Sequence, residues 1–65
     1  MKMNIDQRLK SMRQQLGLSL REVARNTGIS PATILRAEKG IGEIGYWRMH
    51  TILDFYRRFY EINHG

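Results

Sequence analysis

Cysteine is absent from the 65 residues, so no disulfide and no thiolate metal site can hold this chain together. Acidic residues are scarce: 6 Asp+Glu stand against 11 Lys+Arg, a formal net charge of +5. That balance points to an anionic partner, nucleic acid or an acidic lipid surface. No apolar run approaches the ~18 residues of a membrane span. The start, Met1 to Asp6, also lacks the apolar core of a secretory signal. Residues 1–65 therefore read as one small cytoplasmic domain, bacterial or phage-encoded in style, without contact with a membrane. A chain this short sits where burying a core is marginal, so it must rely on packing, helix caps or a partner chain. Apolar residues at 42% and charged ones at 26% are compatible with a folded domain.

The residues of catalysis are missing as well. His50 and His64 are the only histidines, and no carboxylate pair lies beside either. The run 40–45, Gly-Ile-Gly-Glu-Ile-Gly, has dinucleotide-like glycine spacing but no preceding strand or βαβ context. Neither an enzyme nor a cofactor is expected, nor a metal held by the two histidines.

What is present is helical punctuation. Gly17, Gly28 and Gly40 each follow a segment of helical apolar spacing and suit left-handed helix ends. In the first segment Ile5, Leu9, Met12 and Leu16 share one face, and Asn4 with Gln7 resembles a capping box. The second opens with Ser19 and Glu22, a better capping box, and presents Leu20, Val23, Ala24 and Thr27. The third begins Ser30-Pro31, an N-cap serine followed by proline at the first helical position, with Ile34, Ala37 and Ile41 as its inner stripe. After the 40–45 loop, a last helix is predicted over 46–62. Nothing alternates with period two over a useful length. The fold class is all-α, with four helices, or five if the last one breaks.

Two short helices flanking Thr27-Gly28-Ile29 make a helix-turn-helix candidate over about 19–39. Ala24 has to be small beneath the second helix of the pair, and Val23, Ile29, Ile34 and Ala37 point inward. The outward face of 30–39 is then free to enter a major groove. At this point the sequence resembles the lambda-repressor-like (Cro/repressor, XRE-type) helix-turn-helix family. The residues concerned are Arg8-Leu9-Lys10, Met12-Arg13, Leu16-Gly17-Leu18-Ser19, Val23-Ala24, Thr27-Gly28-Ile29-Ser30, Thr33-Ile34 and Glu38-Lys39-Gly40, with 49–59 similar to the fourth helix. The resemblance implies a compact DNA-binding domain in which about 30–39 is the recognition helix and about 20–27 straddles the backbone. It also implies a salt bridge from Arg13 in helix 1 to Glu38 at the end of helix 3.

On that reading Arg36 is the leading base reader, since a guanidinium can donate two hydrogen bonds to guanine. Ser30, Pro31, Ala32 and Thr33 are the other expected base contacts. Ser19, Arg21 and Lys39 are expected at phosphates, and Leu20 through its backbone amide alone. Arg8, Lys10 and Arg25 contribute to the general positive field. Three residues depart from the family pattern. Leu20 and Leu35 stand where polar residues are usual, and Glu43 lies in a long loop where a cation often grips the backbone. Leu35 is expected to cover a thymine methyl or to pack on the 41–47 loop.

All six aromatics fall between Tyr46 and Tyr60. Ile52, Phe55 and Phe59 suit the core, which leaves Met49, Leu53, Tyr56 and Tyr60 as an apolar strip with less to pack on. Such a strip marks an interface, and a self-complementary one gives a twofold dimer on a pseudo-palindromic site. The expected function is a sequence-specific double-stranded DNA-binding transcriptional regulator, a dimeric repressor or autoregulator. Its control would come through concentration, dimerisation or a second regulatory protein. The alternative is an adaptor or antitoxin-like module that uses the fold mainly to bind a partner.

Overall fold

The computed structural model describes residues 5–64, with side chains from residue 7 onward. Four helices follow one another: α1 Ile5–Gln15, α2 Leu20–Thr27, α3 Pro31–Lys39 and α4 Tyr46–His64. The Asn4 cap expected for α1 lies outside the described residues, as does the Ile5 side chain at the head of its stripe.

The caps explain why α2 and α3 begin and end where they do. Ser19 Oγ accepts the Glu22 amide at 3.0 Å, while the Ser19 amide donates to Glu22 Oε1 at 2.9 Å, closing the capping box. That accepted backbone hydrogen bond, seconded by the Ser19 side chain, holds the Glu22 carboxyl below its ordinary range. At the far end Gly28 takes φ 75°, and its amide reaches the Ala24 carbonyl at 2.8 Å. A side chain at that φ would be strained, so the sharp turn into α3 requires glycine here. Ser30 Oγ then accepts the Thr33 amide at 3.2 Å, with Pro31 in the first turn. Gly40 closes α3, and the Ile41 amide returns to the Arg36 carbonyl at 3.0 Å.

α3 packs on both α1 and α2, and α4 lies across α2 and α1. The core at their junction contains Leu9, Leu18, Val23, Ile29, Ile34, Ala37, Ile52 and Tyr56. Leu18, between α1 and α2, belongs to it although no helical stripe announces it. α4 runs unbroken for 19 residues, two beyond the predicted end, so the helices number four rather than five among the described residues.

Three sequence expectations about packing are corrected. Tyr56, assigned to the outward strip, is 3% exposed and sits in the core. Ile52 and Tyr56 are one turn apart and face inward together, which turns Phe55 and Phe59 to half-buried flanks. Ile41, expected on the inner stripe of α3, is exposed, because the left-handed Gly40 directs the chain outward. Ile44 packs against the core from the same loop.

Candidate nucleic-acid interface

Helix α3 is held from behind by a two-pronged ion pair. Arg13 Nε donates to Glu38 Oε2 at 2.6 Å and Nη2 to Oε1 at 3.1 Å, while Nη1 donates to the Leu18 carbonyl at 3.0 Å. The Glu38 side chain is only 1% exposed and that of Arg13 13%. Such fork-to-fork geometry fixes direction as well as distance, so α1, the α1–α2 turn and the end of α3 are tied at one point. The hydrogen bond to Glu38 holds the Arg13 guanidinium above its ordinary pKa, against the opposing effect of burial. Tyr56 lies close enough to feel both charges. Burial first, then the Glu38 carboxylate, push its hydroxyl up to about 12, with Arg13 pulling the other way. The hydroxyl is buried without a hydrogen-bond partner among the described residues.

With Ile34, Ala37 and Glu38 turned inward, α3 exposes Pro31, Ala32, Leu35, Arg36 and Lys39. Ala32, Leu35, Arg36 and Lys39 recur at three- and four-residue steps and form a single outward edge. Of the expected base contacts, Ser30, Pro31, Ala32 and Arg36 are exposed, and Thr33 is half-buried. The Ser30 and Thr33 hydroxyls are 2.8 Å apart, so both serve the cap as well as facing outward. Leu35 is 37% exposed and stands on the outer edge.

Of the expected phosphate contacts, Ser19, Arg21 and Lys39 are exposed and Leu20 is half-buried. The capping box engages the amides of Ser19 and Glu22. Those of Leu20 and Arg21 have no intramolecular acceptor among the described residues. Free first-turn amides carry the positive end of the helix dipole, which favours an anion. Arg8, Lys10 and Arg25 are exposed.

Sequence reasoning missed Arg48. It lines a cleft of about 180 Å³ together with Thr33, Arg36 and Glu43, at the seam between α3 and the loop into α4. Its Nη1 donates to the Ile44 carbonyl at 3.3 Å. The available signal was its place in the first turn of α4, directly after the loop that leaves α3. The Arg36 head group lies over this loop, where a Cβ at Gly42 would come within 3.3 Å of Arg36 Nη2.

The apolar strip expected on α4 divides. Met49 borders the 42–46 loop beside Tyr46 and His50. Leu53, Tyr56 and Tyr60 instead line a groove of about 270 Å³ against Met12 of α1 and Leu16 in the turn that follows it. Only Tyr60 of the four is exposed; Met49 and Leu53 are half-buried against the core. His64 stacks on Tyr60 with centroids 4.1 Å apart, and His50 tilts on Tyr46 at 4.2 Å. Both histidines are thus engaged with aromatic rings. No cluster of three or more metal-ligating side chains occurs among the described residues, and none of their helices is long and apolar enough to cross a membrane.

Two short capped helices meeting at a left-handed glycine, the second exposing a basic edge, define a binding domain of the helix-turn-helix type. The family profile described as a helix-turn-helix domain matches residues 7–58, and the chain belongs to that family. Its class is that of DNA-binding regulators, of the Cro/XRE/lambda-repressor type. No curated protein and no solved structure matches the chain significantly.

Proposed function

We propose that this chain is a sequence-specific regulator of transcription, a repressor or autoregulator. It lays α3 in the major groove of a pseudo-palindromic operator and acts as a homodimer. The observation that carries this reading is the outer edge Ala32–Leu35–Arg36–Lys39, presented on a helix whose inner side is locked by Arg13 and Glu38. Arg36 reads guanine, Ala32 and Leu35 meet thymine methyl groups, and Ser30, Pro31 and Thr33 approach bases at the helix start. Ser19, Arg21, Lys39 and the Leu20 amide fix the register on phosphates.

Fluorescence anisotropy against duplexes selected from a randomised pool tests the reading. The selected sequence should bind roughly 10³-fold or more tighter than random duplex at physiological salt, with a steep fall in affinity as salt rises. Equal affinity for both overturns it. The second reading, an adaptor or antitoxin-like module that binds another regulatory protein, is favoured by the exposed Trp47 and by Glu43. Arg36→Glu separates the two, because it abolishes DNA binding but leaves capture of a protein through α4 intact.

A further inference from the structure

The groove between the end of α1 and the C-terminal half of α4 is built unlike the open edge of α3. Its floor is apolar: Met12, Leu16 and Leu53 are half-buried and Tyr56 is buried. Its rim is polar and exposed, with Gln15, Arg57 and His64, and no aspartate or glutamate lines it. A few polar groups around an apolar floor are the make-up of a small-molecule site. We propose that this groove binds a small aryl carboxylic acid, its ring against Met12, Leu16 and Leu53 and its carboxylate on the Arg57 guanidinium. No residue of α3 lines the groove, so occupancy leaves the outer edge of α3 open and does not depend on what that edge binds.

Size, charge and shape choose that occupant. The volume is about 270 Å³, and an apolar cavity of ~150 Å³ already takes up benzene. One ring with a short chain therefore fills it. Arg57 has charge left over: Asp54 meets Arg57 at 3.0 Å and Arg58 at 3.1 Å, so a single carboxylate faces two guanidiniums. Of those two arginines, Arg57 is the one that lines the groove, and it engages Asp54 through Nη2 alone. A guanidinium presents five donors in a fork that matches a carboxylate. A cationic ligand would instead meet Arg57 with no acid in the lining to offset it. The shape comes from His64, whose ring stacks on Tyr60 at 14° with centroids 4.1 Å apart and whose Nδ1 lies 3.0 Å from the Tyr60 carbonyl. That flat, pinned pair forms part of the wall, and aromatic faces favour offset stacking on another ring.

The test uses the whole chain and three probes of one shape: phenylpropionate, phenylpropanol and phenylpropylamine. Calorimetric titration should show a one-to-one complex with the carboxylate, with a dissociation constant of about a millimolar or tighter, as suits a ligand this small. The alcohol should bind about threefold or more weaker, the size of an exposed charge pair, and the amine weaker still. Arg57→Gln should remove the preference for carboxylate over alcohol with the helical signal intact. Gln15→Phe, which fills the groove from its exposed rim, should abolish binding of all three. In NMR spectra the Met12 and Leu53 methyl signals should move and saturate. The indole N–H of Trp47, the only tryptophan and no part of the groove, should stay in place. Equal affinity for the three probes would mean apolar adhesion only and overturn the proposal. So would a carboxylate preference that survives Arg57→Gln, full binding by Gln15→Phe, or no binding of the carboxylate up to about ten times its expected dissociation constant.

Discussion

Helices α1–α3 and helix α4 solve the same problem with different means. In the first three, short segments stop at left-handed glycines, α2 and α3 also start at side-chain caps, and each presents a narrow apolar face. In α4, 19 residues run without a break, and apolar or aromatic side chains occupy every side of the helix. The two regions also carry different kinds of ion pair. Arg13–Glu38 is nearly dry, whereas Asp54 meets Arg57 at 3.0 Å and Arg58 at 3.1 Å in the open. The first region is specified by individual polar contacts, the second by area.

The sharpest way to break that contrast is to cut the inner pair. Arg13→Ala leaves the Glu38 carboxylate buried without its counter-charge and should cost about 3–5 kcal/mol, read as a fall in the urea midpoint or outright unfolding. Arg58→Ala on α4 should change stability by less than ~1 kcal/mol. Next in size is Arg36→Ala, expected to cost about 1–3 kcal/mol on the selected duplex. It should relax discrimination at one base position without moving the thermal midpoint. Ser19→Ala and Ser30→Ala should each lose ~1 kcal/mol of stability through an uncapped helix start, measurable by calorimetry.

Tyr56→Phe should run the other way and raise stability by about 1 kcal/mol, since a buried hydroxyl without a partner costs free energy that the ring alone does not. The same substitution sharpens a pH prediction. The folded state holds the Tyr56 proton up to about 12, whereas the unfolded chain releases it near ~10. Stability is therefore intact below pH ~10 and falls as pH climbs toward 12, because the folded state binds the extra proton. The phenylalanine variant should lose that part of the alkaline decline.

The contrast also explains how much could be read in advance. The Ser19–Glu22 capping box, the Ser30 cap, the stop glycines and the position of the turn were legible because each is written in local residues whose chemistry permits few alternatives. Ser19 with Glu22 can close only one box, and Gly28 alone among its neighbours tolerates φ 75°. The pairing of Arg13 with Glu38 came from the family resemblance, since nothing local links residues 25 apart. The rotation of α4 was not legible. When Phe55, Tyr56 and Phe59 are all apolar, spacing permits more than one inward stripe, and only the space beside Ile52 and Glu38 selects Tyr56. Arg48 escaped for a related reason: a lone arginine at a helix start acquires meaning only once the fold brings it to the cleft lined by Thr33, Arg36 and Glu43.

The Arg13–Glu38 clasp makes the turn-flanked pair of helices non-portable. A peptide cut at residues 19–40 would carry Glu38 away from the guanidinium that neutralises it, and would expose Val23, Ile29 and Ile34 along the same cut. Transplanting this helix pair into another scaffold therefore means moving a positive charge from outside it as well.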